Sequence, residues 1–400
     1  MINVTDAERI IRDNVLDFSI EECSLIEASG RILQEDIYAD RDQPPYDRVA
    51  MDGIAVNLES WKRDDVNRFF IEGIEQAGQA PITLKDKTSC IEVMTGAVLP
   101  KGCNCVIPVE NISVEDNHAA IRSGMRFQQM QNVHPKGADY PNAAPLLKQG
   151  CVLKSPQIAV LAAVGKVKVK VSKQPKIAVF TTGNELIDIH EEPEAHQIRR
   201  SNSYAVQSVL ATHGFSDVDI FHLRDDREEI KEKIESTLAM YDIHILSGGV
   251  SMGRYDLLPE VLKDLGVDVL FHKVAMRPGK PFWFGKTRNN YPVFALPGNP
   301  VSALICCYRF VLPYLKQASG QIYVDQKFGA LTEDFCVKTP LTYFLPVKIQ
   351  NSEDGKYLVQ PAPTNGSGDF ASLAQSNGFI ELKENIQNFT KGYGAPYFSW

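Results

Sequence analysis

No apolar run in the 400-residue sequence is long enough to cross a bilayer, and the N-terminus, "MINVTDAERIIRDNV", lacks the uninterrupted apolar core of a signal peptide. The expectation is a cytoplasmic chain. An excess of basic charge is missing as well: 42 Lys and Arg stand against 50 Asp and Glu, for a net charge of −8. A chain of that sign has no overall electrostatic reason to bind nucleic acid or an anionic membrane, although a local basic pocket remains compatible with it. Paired cysteines are absent. The eight, at 23, 90, 103, 105, 151, 306, 307 and 336, form no C-x-x-C and have no histidine spacing that would close a zinc site, so reduced and mostly buried thiols are expected. The "CNC" at 103 to 105 reads as two small residues on one strand face. No Ser–His–acid or Cys–His pattern emerges, and no histidine is assigned a catalytic role.

What is present is an ordinary globular composition, 44% hydrophobic and 23% charged, with length for roughly two to four domains. The first forty residues read as two amphipathic helices, one through Ile10, Ile11, Asn14 and Val15 and another around "IEECSLIEASGRILQEDI". Pro44 and Pro45 mark a boundary. Residues 53 to 140 are rich in β-formers, glycine and proline without a strong helical period, which suggests a small β domain. Helical character returns in "SPQIAVLAAVG", followed by the alternating "KVKVKV" and a second boundary at Pro175. From there to about 318, strands "KIAVF", "VDIFHL", "IHIL" and "PVFAL" alternate with helix-like segments in the α/β manner. The last eighty or so residues read as another small β domain, with "YFLPVKI" and "YLVQPAP" as strands.

Ligands of open α/β sheets bind beyond the carboxyl ends of the strands. Here those ends lead into "TTGNEL", "RDD", "SGGVSMGRYD" and "PGNPVS", four polar or glycine-bearing turns that would gather on one edge. In "SGGVSMGRYD" the glycines between a buried strand and a helix suit a phosphate or oxoanion, since bare backbone and a helix start present N–H groups. A tight structural turn is the alternative. In "PGNPVSAL", Asn299 can cap a helix with Pro300 at its first position, with Gly298 allowing the turn. The stiff loop "KVAMRPGKP" offers Lys273, Arg277 and Lys280 for a phosphate or dianion, or else is a solvated surface loop. Asp52, Glu185, Asp226 and Asp256 stand at turns where acids beside phosphates would hold Mg2+. Asp225 or Asp226 can equally cap the helix "REEIKEKIESTL", and Asp256 the next one.

Together, "PPYDRVAMDGIAV", "MTGAVLPKGCNCVIPVE", "TTGNEL", "SGGVSMGRYD", "MRPGKP" and "LPGNPVSAL" resemble the molybdopterin molybdenumtransferase family, known as MoeA in bacteria and as the E domain of gephyrin. The six motifs, in the family's order, cover nearly the whole chain. The resemblance implies an α/β plus β protein, a multidomain elongated subunit. Residues 1–41 and 141–172 would form a discontinuous helical domain, 42–140 an inserted β domain, 173–318 a three-layer α/β molybdopterin-binding domain, and 319–400 a C-terminal β domain. It implies a homodimer with its active site at the subunit interface, and a molybdopterin adenylyltransferase as pathway partner. The implied reaction inserts molybdenum from molybdate into adenylylated molybdopterin, with Mg2+-dependent release of AMP. A non-catalytic gephyrin-like scaffold and a tungsten-inserting homologue are the alternatives.

Carried onto this chain, the resemblance makes Asp52, Glu185, Asp256 and Lys280 catalytic, with Glu185, Asp226 and Asp256 as metal ligands. Thr95, Asp139, Thr182, Gly183, Ser247, Gly248, Gly249, Ser251, Gly253, Arg277, Pro281, Gly298, Ser302 and Ser367 become substrate-binding. The chain departs from the family pattern at His134, Asn184, Arg200 and Arg277, and "PLTYFLPVKI" lacks the arginines that many members carry around its Phe344.

Overall fold

A computed structural model describes residues 1–64, 67–250, 256–322, 326–362 and 364–400. The chain divides into two compact units, one made of 1–35, 149–158 and 167–400 and the other of 36–148 and 159–166.

The larger unit is built on a six-stranded sheet in the order Val218–Leu223, Ile177–Thr182, Ile243–Ser247, Pro292–Leu296, Trp283–Lys286, Asp268–His272. The first four strands are mutually parallel, and the last two are added antiparallel. Ile177–Thr182, Ile243–Ser247 and Pro292–Leu296 are buried at every position, as mainly apolar strands covered on both faces must be. Alternate residues of Ile177–Thr182 serve the two faces. Ile177 and Val179 pack with Val206, Val209 and Leu210 of helix Asn202–Thr212 and with the helical segment from Pro300 to Ala318. Ala178 and Phe180 pack with Ile230, Ile234, Leu258, Val261 and Leu262 of helices Arg227–Leu238 and Leu258–Asp264. The result is a helix–sheet–helix sandwich. The first helix, Val4–Asp13, joins one side of it through Val4, Ala7 and Ile11, and Ile2 bridges to Val274.

A second sheet in this unit closes on itself. Thr342–Asn351 pairs with Tyr357–Pro361 and with Gly378–Leu382; the ring is completed through Lys327–Leu331 and Gly394–Ser399. Closure leaves no free edge around the ring, and Leu345, Val347, Val359, Ile380 and Tyr397 fill it. Met276–Arg277 adds to this barrel in parallel, with Arg277 opposite Tyr343. The basic loop is therefore tied to the C-terminal barrel by backbone pairing.

The smaller unit holds a six-stranded sheet in the order Cys105–Pro108, Gly53–Val56, Cys90–Val93, Arg68–Glu75, His118–Ile121, Ile112–Glu115. Gly53 is required by close approach: a Cβ there would lie 2.0 Å from the carbonyl oxygen of Ile107 on the neighbouring strand. Cys103 and Cys105 do not share one strand face. The strand begins at Cys105, which packs with Cys90 and Phe69, whereas Cys103 packs with Leu84 and Val106 in a different cluster.

A second expectation about local structure fails. Residues 20–37 are not a helix; Ile20–Ser24 is a strand paired antiparallel with Lys168–Ser172, and turns follow it. None of Ile20–Ser24 is buried and Ile26 is almost wholly exposed, while Ala28, Leu33 and Ile37 are buried one by one from turns and short strand pairings, so the apolar residues do not share one helical face.

Candidate active site

The carboxyl ends of the parallel strands open into a cleft of about 1760 Å³. Thr182, Gly183 and Glu185 line it from the first turn, Asp225 from the second, Ser247, Gly248 and Gly249 from the third, and Gly298, Asn299 and Ser302 from the fourth. The four turns read from the sequence thus converge. Arg277, Pro278, Lys280 and Pro281 contribute from the basic loop, and Ser367 and Phe370 from the segment before the barrel strand Gly378–Leu382. Ser251 and Gly253 lie outside the described residues.

The glycine turn fits its strand with little clearance. Gly248 has φ +96, and a Cβ there would meet the Thr182 carbonyl oxygen at 2.8 Å and its Oγ1 at 2.9 Å. Gly249 has φ +62, with Thr182 Oγ1 3.0 Å from its virtual Cβ. Both positions favour glycine by conformation and by space. The Gly248 N–H donates to the Leu296 carbonyl at 3.2 Å, and a His272 ring nitrogen sits 3.0 Å from the Val250 carbonyl, which pins the turn at both ends. The hydroxyls of Thr181 and Thr182 are buried and find no hydrogen-bond partner among the described residues. An unsatisfied hydroxyl under a bare backbone turn costs free energy that a polar ligand can recover.

A network crosses the cleft floor. Asn202 Nδ2 donates to Ser247 Oγ at 2.9 Å and to the Gly298 carbonyl at 2.7 Å. Asn299 stands at the N-cap of Pro300–Cys306, yet its side chain makes no capping bond; instead its Nδ2 donates to Ser367 Oγ at 2.8 Å. The Val301 N–H donates to the Ser367 carbonyl at 3.2 Å, so the backbone of the C-terminal segment takes the place of the expected cap.

The acids divide. Glu185 folds back over its own turn, with Oε2 2.6 Å from a virtual Cβ on Gly183. Asp256 lines the cleft but is not the cap of Leu258–Asp264, whose N-cap position is Leu257. Asp226 is a cap: its Oδ1 accepts from the N–H groups of Glu228 at 3.1 Å and Glu229 at 2.9 Å, and it is not among the lining residues. Asp225 lines the cleft in its place and exchanges hydrogen bonds with Asn184, which donates its N–H to Asp225 Oδ2 and accepts the Asp225 N–H on Oδ1. The family's aspartate at 184 could not accept that bond and present an uncharged partner to Asp225 at once. Among the described residues no three His, Cys, Asp or Glu side chains cluster to hold a metal unaided. The donors that line the cleft, Glu185, Asp225 and Asp256, still suit Mg2+, which keeps its water and takes one or two carboxylates together with substrate phosphates.

Of the basic loop, Arg277 and Lys280 line the cleft and Lys273 does not. The loop is firmly seated, because Met276 is fully buried and a Cβ on Gly279 would strike Met276 Cε at 2.6 Å. Several lining residues escaped the sequence reading. Arg199 and Arg200 belong to an excursion between strand Ile177–Thr182 and helix Asn202–Thr212, closed at its base by the pairing of Leu186–Ile187 with Ile198–Arg199, and Tyr204 stands in the first turn of that helix. Arg200 pairs with Asp188, and its guanidinium carbon lies 5.8 Å from the Tyr204 ring centre. No spacing signalled them, since Arg200 appeared only as a departure from a family pattern.

In the smaller unit, Asp52 accepts at 2.7 Å from both the N–H and the hydroxyl of Thr95. The Thr95 hydroxyl, and then its amide, hold the Asp52 carboxyl below the usual carboxylate range. Asp139 is bound to His134 at 2.8 Å, so the histidine that departs from the family's arginine keeps an acid partner. The two pairs are formed within this unit.

Comparisons with known proteins agree over the whole length. The model of the MoeA N-terminal region (domain I and II) matches residues 2–165, that of a probable molybdopterin binding domain matches 178–317, and that of the MoeA C-terminal region (domain IV) matches 329–398. A molybdopterin molybdenumtransferase of Synechocystis is 39% identical over 403 residues, covering 100% of both chains. One from Staphylococcus epidermidis is 31% identical, covering 98% of this chain and 94% of the relative. The crystal structure of a molybdopterin biosynthesis moeA protein from Pyrococcus horikosii superimposes with a TM-score of 0.83 at 30% identity, with 100% of each chain covered.

Proposed function

The chain belongs to the MoeA family and is a molybdopterin molybdenumtransferase of molybdenum cofactor biosynthesis, and from that premise we propose how its cleft performs the transfer. The substrates are molybdate and adenylylated molybdopterin, and AMP is the product. The observation that carries this reading is the meeting, in one cleft, of a bare glycine turn, two seated cations and three carboxylates.

The Gly249 N–H and the charges of Arg277 and Lys280 bind the phosphates and the oxoanion. Such donors are fixed before the reaction and need no reorganisation as charge shifts. Arg277 gives a two-pronged contact where a lysine would give a point charge. Glu185 and Asp256, with Asp225 in preference to the capping Asp226, are the residues that would hold Mg2+. When bound, the ion would neutralise phosphate charge as the adenylate bond is cleaved. Ser302, Thr182 and Ser367 orient substrate from the turns around it. The catalytic assembly includes Asp52, Thr95 and Asp139 of a second copy, in a cytoplasmic homodimer that receives adenylylated substrate from an adenylyltransferase. The support for this arrangement is that Asp52 and Thr95 form an exposed pair with no core to serve.

The experiment supplies purified protein with adenylylated molybdopterin, molybdate and Mg2+, and follows AMP release and molybdenum incorporation while light scattering reports subunit number. Molybdate-dependent release from a dimer is expected, abolished by Asp256→Asn or Lys280→Ala with the dimer intact. Full activity in either variant refutes that residue's role, and activity without Mg2+ refutes the metal.

A further inference from the structure

The cleft wall carries apolar surface that neither the anion-binding turns nor the carboxylates explain. Ile189, Ile198 and Phe370 all line it, and all are exposed, at 52%, 59% and 63%. They come from two separate segments. Ile198 opens the short strand at the base of the excursion and Ile189 lies two residues beyond its partner strand Leu186–Ile187; Leu186 and Pro193 line the cleft beside them. Phe370 begins the short helix Phe370–Leu373 near the barrel.

Their exposure is built rather than incidental. The excursion is tied at its base, where the Ile198 N–H donates to the Glu185 carbonyl at 2.8 Å and the Arg200 N–H to that of Ile187 at 3.0 Å. Asp369 holds the turn before Phe370: it accepts from Asn365 N at 3.0 Å, Asn365 Nδ2 at 3.2 Å and Ser372 N at 3.2 Å. The Asn365 amide in particular keeps the Asp369 carboxyl below its ordinary range. Ser367 is anchored to Asn299 and to the Val301 N–H. A large apolar ring and two branched aliphatic side chains are thus held in contact with water inside a binding cleft, where each loses hydration cost only when covered.

We propose that Phe370, with Ile189 and Ile198, is the seat for a planar heterocycle of the substrate. The inference rests on the proposed substrate, which carries two such rings, adenine and pterin. A flat ring stacks on an aromatic face and covers aliphatic surface without requiring a charged partner, and the anionic groups between the rings remain at the glycine turn and the basic loop.

The test measures binding to the intact chain by calorimetry with AMP, ribose 5-phosphate and 6-hydroxymethylpterin as probes. AMP and ribose 5-phosphate share a phosphate and differ in the base. An adenine seat makes AMP about tenfold the tighter in the unaltered protein, and Phe370→Ala removes that gap. A pterin seat leaves the gap intact and weakens the pterin probe about tenfold in Phe370→Ala instead. In both cases Phe370→Trp restores binding, Ile198→Thr on the other segment weakens the same probe, and melting temperatures stay unchanged because the side chains are exposed. Undiminished binding of both heterocyclic probes to Phe370→Ala overturns the seat, even where AMP release proves the transferase. Phe370-dependent binding in a protein that releases no AMP keeps the seat and overturns the transferase reading.

Discussion

Replacing Gly248 by alanine puts the geometry of the glycine turn to a quantitative test. A residue with a Cβ at φ +96 costs about 1–2 kcal/mol relative to glycine. The added methyl would also come within 2.8 Å of the Thr182 carbonyl oxygen and 2.9 Å of its hydroxyl, one of which is backbone of a fully buried strand and cannot swing aside. Forcing an extra methyl into such packing costs typically about 1–3 kcal/mol. The sum is about 2–5 kcal/mol, and at roughly 2–4 °C per kcal/mol for a domain of this size the melting temperature falls by about 10 °C. The turn must shift by some tenths of an ångström to relieve the contact. Displacement on that scale lowers a positioned reaction by about tenfold to a hundredfold. Gly298 is the control, because its virtual Cβ meets nothing closer than Gly248 Cα at 3.5 Å. Differential scanning fluorimetry and the AMP-release rate are measured on both variants. Equal melting temperatures for Gly248→Ala and Gly298→Ala would refute the claim that the turn is closed against Thr182.

Two further expectations concern Asn299 and His244. Asn299→Ala removes the bond to Ser367 Oγ, worth about 1 kcal/mol, and should lower AMP-release efficiency about fivefold with little change in melting temperature. Asn299→Asp should recover part of the loss, since the Ser367 hydroxyl can turn to donate; no difference between the two variants would refute the anchor. Stability should depend on pH through His244, whose ring is buried against Phe180 and whose pKa is pushed by that burial down to about 4. The unfolded chain takes up this proton near pH 6.5 while the folded one resists until about 4, so stability is full above 6.5 and falls as pH drops between those values. The loss from pH 7.5 to 5 is about 2 kcal/mol in urea titrations, and His244→Phe should abolish it; an unchanged slope in that variant would assign the effect elsewhere.

The parts of the site legible in the sequence share one physical property: they are local. The strands ending at Thr182, Ser247 and Leu296 are short and mainly apolar, and the turns after them carry glycine, proline or acid at fixed offsets, so their convergence follows from the parallel sheet alone. The residues that stayed hidden depend on distant partners. Strands Trp283–Lys286 and Asp268–His272 join the sheet antiparallel, with no helix between them to set the period. Ile20–Ser24 becomes a strand because Lys168–Ser172, almost 150 residues away, offers it hydrogen bonds, and no burial pattern in 20–24 could have announced that. Asn299 has the composition and position of a helix cap; only the arrival of Ser367 turns its side chain to another use. Asp225 and Asp226 are adjacent acids of equal chemistry, and which of them caps the helix is decided by its register.

The first helix has a place in the history of the chain as well as in its core. Arg309 is nine-tenths buried between two acids: its Nη2 meets Glu8 at 2.7 Å, across a separation of 301 residues, and its Nε meets Glu381 at 2.7 Å. On a ribosome adding about 5–20 residues per second, the helix bearing Glu8 is exposed for about 15–60 s before Arg309 exists. During that interval both segments of the second compact unit, 36–148 and 159–166, are made. The segment synthesised first is among the last to be docked, and its apolar stripe of Val4, Ala7 and Ile11 waits in solution for a core assembled from the far end of the message.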